Sequence, residues 1–246
     1  MKVNLNKYDF CLIIPTFHEE KNILKLKLTL DVHLKNQNYF ICFVDDSKNS
    51  LTKNIITSIF EKKNMKILSC GKNDRCSAVK VGLDWCYKNI KSNYFIEMDG
   101  DLSHHPEDIK KNLPIILSGN YNLLIFSKYL INSKQSGRSI DRKLISFIVS
   151  KVCNLLFNKN IKDYSNAFRV YDIKAILTLN QKKITYKAPM ENINIILFLL
   201  DKVKIKELAS NYRDRSYGLS TINFKHYIKF TLLFLKLLIS HVSKQN

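Results

Sequence analysis

An apolar segment followed by an acidic loop occupies residues 94–106, which read YFIEMDGDLSHHP. The apolar run Tyr94–Met98 predicts a strand, and Pro106 favours a helix that begins directly after the loop. Four similar runs lie at Phe10–Ile14, Phe40–Val44, Met65–Leu68 and Leu123–Phe126. Nearly continuous apolar runs of this kind are typical of strands that are covered on both faces.

The segments between these strands are long enough to form crossover helices. They lie around residues 20–35, 53–63, 76–90 and 106–118. Within the first, leucines alternate at period two from Leu24 to Leu34, which locally favours a strand, but the length and the strand-to-strand context predict a helix. Alternating strands and helices predict an α/β fold with a mostly parallel, doubly wound, Rossmann-like sheet.

The second half of the chain is less regular. It predicts helices near 139–157 and 190–201, and strands at Ala167–Tyr171 and near 203–209. Residues 222–246 predict a separate amphipathic helix, in which lysines share one narrow stripe and apolar side chains cover most of the remainder. Its apolar stretch is shorter than the roughly 20 residues needed to span a membrane. The helix therefore lies either in a membrane interface or against the domain or a partner.

Composition narrows the class of protein. The chain has 246 residues, is 46% hydrophobic and contains few glycines and prolines, which excludes a fibrous or disordered protein. A formal net charge of +19 favours anionic partners, namely nucleic acid, a lipid surface or phosphorylated substrates, although a biased genome composition would also enrich lysine. The six cysteines form no CxxC pair and no signal peptide precedes the first strand, so we expect a reducing compartment.

Acidic side chains follow three of the predicted strands. Glu19 and Glu20 follow the first, Asp45 and Asp46 the second, and Asp99 and Asp101 the fourth. Because ligands bind beyond the carboxyl ends of strands in open α/β sheets, these acids predict a site at one edge of the sheet. Two carboxylates at i and i+2 can hold a hard divalent cation that also grips phosphates, although each acidic group alone is as readily a helix cap or a solvated turn.

The adjacent residues His104 and His105 suggest zinc, but neighbouring side chains diverge and no further Cys or His lies at ligand spacing. We expect the two histidines to shape the turn or to hydrogen-bond near bound phosphates.

Several blocks resemble the signatures of the dolichol-phosphate mannosyltransferases, which are inverting family-2 glycosyltransferases with the GT-A fold. The most specific are Ile14–Glu20, Val44–Ser47 and Met98–Pro106. Further blocks are Ser127–Tyr129, Arg142 with Ser146, Asp163–Tyr171 and Arg215–Ser220. The resemblance runs from about residue 10 to 221, and implies a GT-A domain over residues 1–221.

The resemblance implies a role for each matching residue. Around the nucleotide base and ribose it implies Pro15, Phe17, Glu19, Val44 and Asp46. Asp99 and Asp101, with Gly100 between them, would hold Mg²⁺ or Mn²⁺ and the diphosphate. Basic and hydroxyl side chains would bind the phosphates of both substrates. The donor phosphates would contact Lys128 and Arg215. The acceptor phosphate would contact Lys128, Arg142, Ser146 and Arg169. Three of the chain's six arginines fall on these positions, where bidentate phosphate recognition disfavours lysine. Asp99, Asp101 and Arg142 form the implied catalytic set.

The implied reaction moves a hexose, with mannose from GDP-mannose the first expectation, onto dolichyl or polyprenyl phosphate with inversion. Such an enzyme is expected at the cytoplasmic face of a membrane, the endoplasmic reticulum in a eukaryote or the inner membrane in a bacterium. It would be peripheral or held by a membrane-anchoring subunit.

Three alternatives remain at this stage. The enzyme could use UDP-glucose or UDP-GlcNAc, or a cell-wall or capsule acceptor. A basic nucleic-acid-binding protein would explain the charge, but the chain has no RNP-like block, zinc finger or basic region with heptads. A non-catalytic paralogue is suggested by the altered loop at Ser50–Thr52. Other departures from the family pattern, which leave the metal site intact, are His18 in place of Asn, Lys128 in place of Arg, Thr221 in place of Lys, and an altered loop at Arg75–Ala78.

Overall fold

The computed structural model describes residues 7–72, 74–137, 139–181, 190–213, 230–236 and 239. The strands are β1 (Phe10–Thr16), β2 (Tyr39–Asp45), β3 (Met65–Leu68), β4 (Tyr94–Glu97), β5 (Leu123–Ser127), β6 (Lys134–Gln135), β7 (Arg169–Asp172), β8 (Ile205–Ala209) and β9 (Asn211–Tyr212). The helices are α1 (Glu20–Leu34), α2 (Leu51–Ile59), α3 (Arg75–Asn89), α4 (Pro106–Ile116), α5 (Ile140–Phe157), α6 (Ile173–Asn180) and α7 (Glu191–Leu199). A short 3₁₀ turn, Lys62–Asn64, precedes β3.

Seven of these strands form one sheet in the order β3-β2-β1-β4-β7-β5-β8. Neighbouring strands run parallel except where β7, lying between β4 and β5, pairs with both in antiparallel register. Strands β6 and β9 form a separate two-stranded ribbon. The mostly parallel α/β sheet confirms the predicted fold class, whereas helix α6 and the ribbon were not predicted.

The sheet separates two apolar cores. Along β1, Cys11 and Ile13 face a core built with α3, α5, α6 and α7, and Phe10, Leu12 and Ile14 face a core built with α1, α2 and α4. All five side chains are fully buried. Coverage on both faces explains why the strands read as continuous apolar runs.

The leucines of α1 show why the alternating pattern nevertheless forms a helix. Leu26, Leu30 and Leu34 are fully buried, whereas Leu24 and Leu28 are more than half exposed. Each set recurs every four residues, so the period of two is the sum of two helical stripes on different faces. The predicted helix is therefore confirmed.

Most of the predicted C-terminal helix 222–246 lies outside the described residues. Residues 230–236 are helical. Phe234 is buried and belongs to the core that α3, α5, α6 and α7 cover, while Leu232 and Leu235 are exposed. This turn thus docks on the domain by one face and presents apolar side chains on the other. None of the helices in the described part of the chain is long and apolar enough to cross a membrane.

Candidate active site

The carboxyl ends of β1, β2 and β4 surround a cleft of about 180 Å³. It is lined by Pro15, Thr16, Phe17, Glu19, Asp46, Asp74, Arg75, Ala78, Asp99, Gly100 and Asp101. The strands are parallel and neighbouring, so the loops that follow them meet at one edge of the sheet. The structure thus brings together seven residues that the sequence assigned to donor binding: Pro15, Phe17, Glu19, Asp46, Asp99, Gly100 and Asp101.

The acidic loop after β4 is held by its own backbone and side chains. The Ser103 amide donates to Asp101 Oδ1 over 3.0 Å, and the Asp99 amide donates to His104 Nδ1 over 3.0 Å. Leu102 adopts a left-handed conformation with φ of 65°. Gly100 lies close against Thr16: a Cβ atom added at position 100 would be only 3.3 Å from Thr16 Cγ2. The two carboxylates are therefore presented from a tightly fixed turn.

Both histidines of the loop shape this turn, as the sequence predicts. His104 Nδ1 accepts from Asp99, so its Nε2 carries the proton and faces Asn166 Oδ1 at 3.2 Å. His105 is the N-cap of α4 and accepts a hydrogen bond from the Glu107 amide. Burial lowers the pKa of His104, and burial together with Arg213 lowers the pKa of His105 to about 4. Both rings are thus neutral at pH 7.

Arg75 places a positive charge in the cleft beside the acidic pair. Its Nε and Nη2 atoms both lie 2.7 Å from Asp99 Oδ1, and its Nη1 lies 2.8 Å from Glu97 Oε1. Glu97 is almost fully buried and also accepts from the Tyr171 hydroxyl over 2.8 Å. Burial alone would lower the pKa of Arg75, but Asp99 and Glu97 raise it well above its usual value.

Asp46 holds the loop between β3 and α3. Its Oδ1 accepts from the Ser69 hydroxyl and from the amides of Cys70 and Gly71, and its Oδ2 contacts the Cys70 thiol at 2.7 Å. Burial would raise the pKa of Asp46, but these hydrogen bonds lower it to about 2. Asp46 is therefore a carboxylate at neutral pH and lines the cleft in a fixed orientation.

Lys128 and Arg169, which the resemblance assigned to phosphates, are buried away from the cleft. The ammonium of Lys128 lies 3.0 Å from Asp163 Oδ2, and their side chains are 5% and 0% exposed. The guanidinium of Arg169 is fully buried in β7 and donates to the Asn192 carbonyl over 3.0 Å. Their roles as phosphate ligands stay predictions.

The remaining predicted residues lie elsewhere. Val44 is fully buried in the core beneath α3. Arg142 and Ser146 lie one turn apart on α5, where the Ser146 hydroxyl is 3.2 Å from that of Ser165. Arg215 lies outside the described residues, and its phosphate contact also stays a prediction.

A larger surface depression, of about 740 Å³, lies at the opposite edge of the sheet. It is lined by the first residues of β2 and β3, Tyr39 and Met65, together with residues of α1. Ligands of open α/β sheets bind at the carboxyl ends of the strands, so we place the site in the smaller cleft.

The oxygen donors of the cleft fit a divalent cation such as Mg²⁺ or Mn²⁺. Mg²⁺ is usually held by one or two carboxylates, with water and substrate phosphates completing its shell. The carboxylates of Asp99 and Asp101 match this requirement. Within the ranges that the structure describes, no group of three or more His, Cys, Asp or Glu side chains could hold a metal.

The sequence profile of glycosyl transferase family 2 matches residues 11–179, which include every strand and loop of this cleft. The chain belongs to glycosyl transferase family 2. The resemblance seen in its motifs is thereby confirmed at the level of the family.

Two archaeal relatives extend over most of this family-2 chain. A dolichol-phosphate mannosyltransferase of Pyrococcus furiosus is 27% identical over 220 residues, which cover 89% of this chain and 60% of the relative. The uncharacterized protein MJ1222 of Methanocaldococcus jannaschii is 25% identical over 219 residues, 88% of this chain and 86% of its own length. The chain thus spans about 60% of the length of the Pyrococcus relative.

Several solved structures share the fold of this chain. Glucosyl-3-phosphoglycerate synthase of Mycobacterium tuberculosis, crystallised with Mn²⁺, UDP and glucosyl-3-phosphoglycerate, superposes with a TM-score of 0.65 at 12% identity. The match covers 95% of this chain and 80% of that one. Residues 1–349 of S. aureus TarS give a TM-score of 0.55 at 16% identity, and the match covers 85% of this chain and 60% of that one. These likenesses establish the GT-A fold of this family-2 chain.

Sequence reasoning missed the basic side of the cleft in this family-2 protein. It treated Arg75–Ala78 only as an altered loop, and it assigned no role to Glu97 or Tyr171. A usable signal was present, because Arg75 stands just before a predicted crossover helix at the same sheet edge as the three acidic loops. The contact of Arg75 with Asp99 depends on how α3 packs on the sheet, which no local pattern contains.

Proposed function

We propose that this chain is an inverting glycosyltransferase that transfers a hexose from a sugar nucleotide to a polyprenyl phosphate. The observation that carries the proposal is the pair Asp99 and Asp101 in a cleft with Phe17 and Asp46, at the carboxyl ends of three parallel strands. The motif resemblance and the Pyrococcus relative support mannose from GDP-mannose as the donor and dolichyl or polyprenyl phosphate as the acceptor.

The donor would lie across the cleft. Phe17 is 45% exposed and offers a face on which a base can stack. Asp99 and Asp101 would hold Mg²⁺ or Mn²⁺, which when bound neutralises the charge that develops on the leaving diphosphate. Arg75 supplies a further positive charge on the same side.

The acceptor supplies its own nucleophile. A phosphate monoester has a second pKa of about 6, so it is largely dianionic at pH 7 and needs positioning more than a general base. Arg142 and Ser146 on α5 are proposed to position it, with Arg215 as a further phosphate ligand. The neutral histidines of the acidic loop fit a structural role, not that of an essential base.

The surface of α5 supports a lipid-borne acceptor. Ile140, Leu144, Phe147 and Leu155 are each more than half exposed along this helix, which also carries Lys143 and Lys151. Apolar side chains with interspersed lysines favour binding to an anionic bilayer surface. We therefore propose a peripheral association with the cytoplasmic face of a membrane. The exposed apolar side chains at 232 and 235 would contribute to it, and a membrane-anchoring subunit could add to it.

The proposal is tested by a donor screen with extraction of the lipid product. The purified chain receives labelled GDP-mannose, UDP-glucose or UDP-GlcNAc, with Mg²⁺ or Mn²⁺ and polyprenyl phosphate in neutral or anionic liposomes. We expect label in the organic phase with GDP-mannose, and faster transfer on anionic liposomes. Transfer from a UDP sugar instead would reassign the donor, and no lipid-soluble label from any of the three donors would contradict the proposal.

The matched control compares two acids. Asp101→Asn is expected to lower turnover about 10³-fold, because loss of metal charge removes several kcal/mol of transition-state stabilisation. Asp31→Asn, an exposed acid on α1 that pairs with Lys27, should leave turnover unchanged. Full activity of Asp101→Asn at saturating Mn²⁺ would refute the metal assignment.

A further inference from the structure

Arg75 is held by two carboxylates of different accessibility. Glu97 is 2% exposed and is fixed from its other oxygen by Tyr171, so it anchors the Nη1 side of the guanidinium. Asp99 is 27% exposed and lines the cleft, and both Nε and Nη2 converge on its Oδ1. The guanidinium thus has one fixed partner and one partner that faces the substrate side.

The same carboxylate is proposed to hold a divalent metal. A guanidinium 2.7 Å from Asp99 Oδ1 opposes the arrival of a second cation there, since it neutralises the carboxylate and covers that oxygen. The guanidinium and the metal ion therefore compete for Asp99 Oδ1. The metal site of this protein therefore contains a built-in competitor.

We propose that Arg75 is an exchangeable counter-cation: it occupies Asp99 until a divalent metal takes that carboxylate, and its released N–H groups then bind the donor diphosphate. This inference rests on the proposed sugar-nucleotide function and deepens it. It assigns a further positioning residue to the donor site, outside every motif position carried over by the family resemblance.

The position of Arg75 suits this exchange. Nη1 stays on Glu97, so the side chain keeps its place while Nε and Nη2 change partner. Two parallel N–H groups of a guanidinium match the geometry of phosphate oxygens. Arg75 is also the first residue of the 15-residue helix α3, whose N-terminal end carries positive partial charge toward the cleft. A diphosphate placed between metal and guanidinium would relieve the repulsion between them.

The exchange predicts cooperativity between metal and diphosphate. Mn²⁺ alone must displace Arg75 and binds weakly, whereas Mn²⁺ with a nucleoside diphosphate gives the guanidinium a new partner. The two ligands therefore strengthen each other's binding by the same factor. Removing the guanidinium should tighten Mn²⁺ binding in the absence of nucleotide and reduce this mutual strengthening.

The test measures Mn²⁺ dissociation constants by electron paramagnetic resonance of free Mn²⁺, with and without GDP or UDP, and needs neither sugar nor lipid. For Arg75→Met we expect about 10-fold tighter binding of Mn²⁺ alone, and at least a 10-fold smaller gain on adding nucleotide. Arg75→Lys, which keeps the charge, should retain weak binding of Mn²⁺ alone. Lys80→Met, on the same helix but paired with Asp84 outside the cleft, should match the wild type.

A second variant tests whether an effect of Arg75→Met comes from the loss of the guanidinium or from disturbed folding. Arg75→Met leaves buried Glu97 without its cation, so Arg75→Met/Glu97→Gln, which keeps an acceptor for Tyr171, is measured beside it. Thermal melting checks that each variant is folded. Unchanged or weaker binding of Mn²⁺ alone by folded Arg75→Met and Arg75→Met/Glu97→Gln would overturn the inference, and so would cooperativity in these two variants equal to that of the wild type. If Mn²⁺ binding follows the expectation but no donor transfers its sugar, the proposed function fails and the exchange stands.

Discussion

The cleft edge, at the carboxyl ends of β1, β2 and β4, and the α5 side, around β5, β7 and α5, hold their charges differently. At the cleft, Arg75 pairs with Asp99, and the two side chains are 29% and 27% exposed. On the α5 side, Lys128 pairs with Asp163, and both are almost completely buried. The two ion pairs therefore differ in accessibility: a pair that is open to solvent can meet a competing ion, whereas a buried pair cannot.

Backbone strain divides the two regions in the same way. Among the described residues, three that are not glycine have positive φ, and two of them, His18 and Leu102, lie in the cleft loops. The third, Asn158, is the C-cap of α5, a position and conformation that suit Asn. The cleft loops thus contain strained backbone next to the side chains that line the cleft, whereas the one positive φ on the α5 side is the usual conformation of a helix C-cap.

The strongest challenge to this contrast is removal of the sealed lysine. Lys128→Met leaves the buried carboxylate of Asp163 without its cation, so we expect a loss of about 3 kcal/mol in the free energy of unfolding. The affinity of the folded protein for a nucleoside diphosphate should change less than twofold. Urea denaturation and calorimetric titration measure the two quantities.

The matched control for the sealed pair is an exposed one. Lys159→Met removes the partner of Asp201, whose side chain is 76% exposed, and should cost less than about 0.5 kcal/mol. The family resemblance assigns Lys128 to phosphates instead. A large fall in nucleotide affinity with unchanged stability of Lys128→Met would support that role and break the contrast.

Acid titration provides a smaller test at the cleft edge. The pKa of His105 is about 4 in the folded protein, below its ordinary value of 6.5, so the unfolded chain binds more protons between these values. The contribution of His105 to the free energy of unfolding is therefore fully present above pH 6.5, and it is lost as the pH falls through 4. We expect His105→Asn, which keeps an N-cap acceptor, to remove about 2 kcal/mol of the acid-induced loss between pH 7 and pH 4.

The measurement compares urea midpoints of wild type and His105→Asn at several pH values. His104, whose pKa burial also lowers, is present in both proteins and so cancels in the difference. Parallel pH profiles would show that His105 is not held neutral by the turn, and that the cleft edge is more open to water than the structure indicates.

The sequence predicted the first half of the fold well because the information there is local. Apolar runs placed five strands to within two residues of their ends, and acids after those strands identified the cleft. The antiparallel insertion of β7 between β4 and β5 depends on long-range pairing, which no run of residues contains. The same limit applies to Lys128 and Arg169, whose motif positions do not reveal that the folded chain buries them.

The smallest effect concerns the strained loop at His18, where the family usually has Asn. His18 has φ of 56°, a left-handed conformation that Asn adopts more readily than His. Its amide donates to the Ser47 hydroxyl over 2.8 Å, a bond that any side chain at this position keeps. We expect His18→Asn to stabilise the protein by about 0.5 kcal/mol, measured by urea denaturation, because the exposed contact of His18 with Glu20 contributes little.

The reverse exchange on the α5 side completes the comparison. Asn158→His places the same ring at φ of 49° and should destabilise the protein by a similar amount. Opposite signs for the two substitutions would locate the unfavourable backbone at the cleft edge. If both substitutions destabilise the protein, the contact of His18 with the Phe17 ring, whose centroid is 4.6 Å away, stabilises the loop by more than its left-handed backbone destabilises it. The strain at the cleft is then offset within the same loop.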